Sequence, residues 1–150
     1  TVNQNLPESK GNIHIKSDNP EEYPSIKYNF LSSQLDRDTL VAGVKLIRKL
    51  MQSEAMKEFC DTEIQPGYDF SSDEDIMQFI RNKAETLYHP TGTCKMGFDQ
   101  ESVVDKNLKV HGIKGLRIAD ASIMPTLVSG NTNAVCMMIG ERCADFILNN

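Results

Sequence analysis

Three histidines, four cysteines and one polar run ahead of a helix are the groups in this chain with chemistry to offer. His14 stands on the polar side of an alternating segment and is expected to face solvent. His111 sits in Val110-His111-Gly112, which reads as a turn after a strand. His89 is different. Tyr88-His89-Pro90-Thr91-Gly92-Thr93-Cys94 cannot be regular helix, because the proline holds the residue before it in extended backbone and removes a donor. Histidine as a residue type titrates near neutral pH, so one held on a rigid loop suits a general base.

The polar run is Ser129-Gly130-Asn131-Thr132-Asn133-Ala134, leading directly into a helix. Free amides at a helix start attract an anion or a partial negative charge. The simpler reading is capping by Ser129, Asn131 or Thr132, and on local grounds capping is preferred. Cys60, Cys94, Cys136 and Cys143 form no CxxC pair, and no histidine is spaced to complete a zinc site. They read as small core residues or as thiols of a reducing, cytoplasmic setting, with peripheral attachment at an inner membrane left open. Cysteine redox chemistry is the lesser alternative.

The elements that must position these groups follow from periodicity. Asn12–Lys16 and Ser25–Phe30 alternate apolar and polar residues, as strands with one buried face do, and are expected to pair. A helix is predicted from about Asp36 to Phe59, with Leu40, Val44, Ile47 and Met51 as its buried stripe. A second begins near Ser72 as cap, with Asp73, Glu74 and Asp75 in its first turn. That start accounts for all three acids better than a metal site would. Beyond Glu85 the chain turns Gly-, Pro- and Thr-rich, with a short strand at Leu116–Ala119 and a final helix from about Asn133 to Leu148. This strand, loop and helix is half of a βαβ-like unit.

Composition closes off several classes of function. Of 150 residues, 39% are hydrophobic and 25% charged, ordinary for a folded domain. With 21 acidic against 16 basic residues and no long basic run, nucleic-acid binding is not expected. The longest apolar or small stretch, Ala134 to Gly140, is far short of the roughly 20 residues that span a bilayer. The chain opens on polar residues without Met or a secretory signal, as an excised segment would.

His89-Pro90-Thr91-Gly92-Thr93-Cys94-Lys95-Met96-Gly97 resembles a signature of the glucose–methanol–choline (GMC) oxidoreductases. So do Val103-Val104-Asp105, Leu108-Lys109-Val110-His111-Gly112 and Gly115 to Pro125. The match continues through Ser129 to Ala134 into a helix containing Met138-Ile139-Gly140-Glu141, and Gly11 to Ile15 fits the same region. The resemblance spans nearly the whole chain, in the family's order. Choline dehydrogenase and other alcohol dehydrogenases are the members nearest in motif.

The resemblance implies an α+β fold: a substrate-binding domain with a mixed or antiparallel sheet and helices, then the terminal strand and helix of a Rossmann-like FAD-binding domain. Residues 1–87 would belong to the first and 88–150 to the second. It further implies that His89 faces the flavin as the catalytic histidine, with Asn131 at the second catalytic position. Asp120 and Ala121 would lie against FAD, and Asn131, Thr132, Asn133 and Ala134 would line its pyrimidine edge. Alcohol oxidation releases a hydroxyl proton and a hydride; His89 could take the proton, and Asn131 could donate to the developing alkoxide. The final helix would aim its positive end at charge arriving on the flavin.

No GxGxxG occurs, so the loop that holds the ADP part of FAD is expected in another segment, and this chain alone is expected to be inactive. Its partners would be the rest of the FAD-binding domain and a small-molecule alcohol. Val135, Ile139, Phe146 and other apolar groups of the final helix would need a covering sheet, and a homodimer is one way to cover them. A flavin-dependent hydroxynitrile-lyase-type enzyme on the same scaffold and an isolated non-catalytic domain are the alternatives.

Overall fold

Asn12–His14 (β1) and Ser25–Lys27 (β2) pair antiparallel, with Ile13 opposite Ile26. The strands enclose a turn in which the Ser17 hydroxyl donates to Glu22 and the Asn19 side chain accepts from the Glu21 amide. Gly11 is required beside this pair, because a Cβ there would strike the carbonyls of Lys27 and Tyr28. Both strands are shorter than their alternation predicts. Asn29 and Leu31 take positive φ, 55° and 61°, and carry the chain off the ladder. The expected buried face is also absent: Ile13 is 43% and Ile26 51% exposed. Two strands make one layer, and among the described residues no second layer covers it.

Residues 1–149 are described in this computed structural model, and they divide into two units, Thr1–Glu85 and the chain from Thr86 onward. In the first unit, α1 runs Gln34–Met51, its first turn capped by the Ser33 hydroxyl, which accepts from the Leu35 amide. It ends eight residues before Phe59, because Ser53 is extended; a separate 3₁₀ turn follows at Glu54–Met56. α2 spans Asp73–Lys83 and opens on a capping box in which Ser72 and Asp75 satisfy each other's backbone amides. Val41 of α1 packs against Ile76, Met77 and Ile80 of α2. That seam is the core.

Of the predicted stripe, Leu40 and Val44 pack against that seam, while Ile47 and Met51 lie outside it. Leu40, Val44 and Ile47 are half-buried and Met51 is 38% exposed; together they form one wall of a cleft of about 770 Å³. Periodicity identified the apolar face correctly; part of it meets α2, and the rest faces the irregular segment around Cys60, Ile64 and Tyr68 across the cleft. Arg48 holds that segment in place. Its guanidinium donates to both Glu63 oxygens and to the carbonyls of Gly67 and Phe70. A second clamp ties the N-terminal segment to α1, where the buried Asp36 carboxylate accepts from the amides of Glu8 and Ser9.

The second unit is organised on Val104, fully buried among Leu108, Ile123, Met124, Ile139 and Cys143. Val104 bridges Met96 on one side and Val110 on the other. The strand predicted at Leu116–Ala119 is reduced to one antiparallel bridge, Lys109 to Arg117, flanked by two backbone bonds. Leu108 at φ 65° breaks the opposing segment before a ladder can extend. α3, Asn133–Leu148, has the predicted bounds. Its Ile139 and Cys143 are buried, and Val135 and Phe146 pack on the same core rather than awaiting an absent sheet. The architecture is α+β. Among the described residues no helix is long and apolar enough to cross a membrane.

Candidate functional site

His89 sits just after Tyr88, whose φ of 61° turns the chain and whose amide donates to the Thr86 hydroxyl. Gly92, at φ 85°, carries the chain against the Met124 carbonyl. The strand-like continuation is pinned in register by Cys94 N–H to the Ser122 carbonyl (2.9 Å) and Met96 N–H to the Ile123 carbonyl (2.8 Å). The His89 loop is thus laid along the 120–124 segment by backbone bonds, and a loop so held can present a side chain with little freedom.

Asp120 begins the 3₁₀ turn Ala121–Ile123, and its carboxylate accepts from the Ser122 amide at 2.7 Å. A cap is therefore what the structure gives this residue. Ala121 is half-buried against the Val104 core. Asn131, Asn133 and Ala134 are exposed at the start of α3.

The two motifs meet at Thr132. Nδ1 of His89 lies 2.9 Å from Oγ1 of Thr132. Thr132 occupies the N-cap position, yet its side chain makes no cap bond and its backbone is helical, φ −78° and ψ −13°. Capping by Thr132, one of the three caps offered by the sequence, is overturned: its hydroxyl makes no cap bond and lies instead against the imidazole. Asn131, the preceding residue, comes to the same corner. The sequence held no local signal for the contact, since a threonine before a helix looks like a cap and its partner lies 43 residues away.

His111 has a structural task. Its amide donates to the Val103 carbonyl and Nε2 lies 3.1 Å from the Gly97 carbonyl, tying the hairpin to the loop. His14 is exposed in β1. The large cleft of the first unit is lined by residues between Thr1 and Ala84, none of them from this corner. Its walls mix apolar side chains with polar and charged ones such as Gln52, Lys57, Asp61 and Lys83 and hold no histidine, so His89 remains the better candidate for acid–base chemistry.

The family model for GMC oxidoreductase, in its C-terminal part, matches residues 7–140. The chain belongs to the GMC oxidoreductase family. It is 45% identical over 139 residues to the oxygen-dependent choline dehydrogenases of Escherichia coli K12 and Shigella flexneri serotype 5b, covering 93% of this chain and 25% of theirs. This GMC chain thus spans about a quarter of the length of those relatives. Among solved structures, pyridoxine 4-oxidase from Mesorbium loti superposes with a TM-score of 0.91 at 29% identity, over 97% of this chain and 28% of that one. Formate oxidase of Aspergillus oryzae RIB40 follows at 0.86 and 32%, over 92% and 24%.

The donor set fits a flavin edge. The N-cap Thr132 makes no side-chain bond to the first turn of α3, and that turn carries no acidic residue. Exposed carboxamides stand on either side of Thr132. Amides and neutral carboxamides are donors suited to ring carbonyls, and none adds negative charge where an electron-accepting ring would lie.

Proposed function

We propose that this GMC segment supplies the proton-accepting half of an FAD-dependent alcohol oxidoreductase of the choline dehydrogenase type. The contact between His89 and Thr132 carries the reading, because it brings the histidine loop and the 129–134 motif to one corner. Bound FAD would supply the hydride acceptor. His89 takes the hydroxyl proton, and Asn131 donates its amide to the substrate oxygen as charge grows there. Asn131, Thr132, Asn133 and Ala134 would line the pyrimidine edge, with Asp120 and Ala121 against the cofactor. Residues 1–87 would form part of the substrate-binding domain and 88–150 the closing piece of the FAD-binding domain.

Support comes from the 45% identity to choline dehydrogenases and from the chemistry of the donor set. Anaerobic addition of choline and of simple primary alcohols to the flavin-loaded full-length enzyme tests it. Bleaching of the flavin absorbance with stoichiometric aldehyde is expected. Turnover of a cyanohydrin without any absorbance change would replace the oxidoreductase reading with the lyase one.

A further inference from the structure

We infer that Thr132 is a positioning residue that fixes the tautomer of His89. The inference rests on the reading of His89 as the base. Three observations carry it. The Thr132 hydroxyl lies 2.9 Å from Nδ1. Thr132 is only 8% exposed, while Asn131, Asn133 and Ala134 around it are exposed. Its behaviour also departs from the hydroxyl caps of the other two α-helices: Ser33 and Ser72 are extended, ψ 141° and 160°, and their side chains accept from helix amides. Thr132 does neither. A buried hydroxyl released from capping and placed on an imidazole nitrogen is a device for holding the ring.

The direction of the bond follows from the proton balance. A neutral imidazole carries one N–H, and which nitrogen bears it is set by what the other atom meets. If Thr132 donated to Nδ1, the proton would sit on Nε2, and that nitrogen could accept nothing from an alcohol. If Nδ1–H donates to Oγ1, Nε2 keeps its lone pair. Once Nε2 has taken the proton, both nitrogens are donors and the Nδ1–H bond to Oγ1 stays as it was. The acceptor arrangement serves both states without reorganisation, which is how a third residue orients a catalytic histidine elsewhere. The β-branch of threonine adds to the effect by restricting χ1.

The test uses the flavin-loaded full-length enzyme with Thr132→Val, Thr132→Ser and His89→Ala. Imidazole nitrogen shifts from ¹⁵N-histidine labelling read the tautomer without turnover, and kcat, KM and flavin content are measured beside them. The parent should show His89 protonated at Nδ1. Thr132→Val should lose that signature and roughly 10–100-fold in kcat, the usual scale for removing an orienting partner, with KM and flavin content within about twofold. Thr132→Ser should restore the signature and most of the rate. An unchanged spectrum and rate in Thr132→Val, with His89→Ala inactive, overturns the role of Thr132 alone. Loss of flavin in Thr132→Val with the His89 spectrum unmoved overturns it too. Full activity in His89→Ala removes the base itself, and with it the catalytic meaning of the contact.

Discussion

Nδ1 of His89 and the hydroxyl of Thr132 are 2.9 Å apart across 43 residues of chain. The bond joins a loop held by Gly92 and Pro90 to the first residue before α3. A change at either end therefore reaches the other. It also means that the loop cannot shift without disturbing the helix start where a cofactor edge would rest.

His89→Ala in the full-length enzyme is expected to lower kcat by roughly 10²–10⁴-fold, the usual contribution of a positioned acid–base group. Flavin content should persist, since the loop is held by the backbone bonds of Cys94 and Met96 rather than by the ring. Stopped-flow measurement of flavin bleaching checks this. A rate within a few fold of the parent removes His89 from the chemistry.

Asn131→Asp should be worse than Asn131→His. The carboxylate would lose a donor and put negative charge beside an oxygen that is itself becoming negative. A loss of about 10²–10³-fold in kcat is the scale for one such donor. Histidine keeps a donor and adds no negative charge, so its loss should be smaller. Steady-state kinetics of both variants decides, and a better Asp variant would contradict the donor role.

How much of this was legible in sequence depended on how local each signal was. Ser72 with Asp75 announced α2, and Asn133 and Leu148 bounded α3, because caps and periodicity act within a turn or two. Of the stripe, Leu40 and Val44 do pack on the α2 seam, while Ile47 and Met51 line the cleft instead, because a repeat tells which face is apolar but not what lies across from it. Met51 was expected to continue into helix, but Ser53 stops it. The family was legible by motif. The contact that joins the two halves of the candidate site was not, because Thr132 has a strong local reading as a cap that only the folded neighbour displaces.

The Arg48–Glu63 pair makes a pH-dependent prediction. Hydrogen bonds from Arg48 hold the Glu63 carboxyl below the usual glutamate range, outweighing the effect of burial. A lowered folded value means the unfolded chain takes up the proton first. The stabilisation is therefore full above about pH 4.3, the unfolded value, and is lost as pH falls through the lower folded one. The Gly67 amide, which donates to Glu63 at 3.1 Å, reports it directly. Hydrogen exchange there should be steady from pH 7 to 5 after correction for intrinsic rate, and protection should fall below that window. Glu63→Gln should weaken protection at pH 7 by about 1–3 kcal/mol, the cost of unmet buried partners, and flatten the acid response. A parent-like acid profile in Glu63→Gln would assign the response to another carboxylate, Asp36 being the next to examine.

The chain of 150 residues expressed alone is expected to bind no FAD, to oxidise no alcohol and to self-associate. It contains no GxGxxG and covers about a quarter of the choline dehydrogenases it matches. Its own two cores are small, built on Val41 with α2 and on Val104 with α3. Ile13, Ile15, Ile26, Tyr28 and Phe30 are exposed on or beside the β1–β2 pair, and Met137, Met138, Ile147 and Leu148 are exposed on α3. Apolar surface in such runs favours association over a monomer in water. Charge-reducing conditions should strengthen it, since a net charge of −5 supplies the opposing repulsion at neutral pH. Gel filtration with multi-angle light scattering should therefore give a dimer or larger species, more so near pH 5 than at pH 8. A flavin spectrum after incubation with FAD should match free cofactor. A yellow, catalytically active monomer would show that the cofactor is held by these residues alone, and would move the binding site into the chain described here.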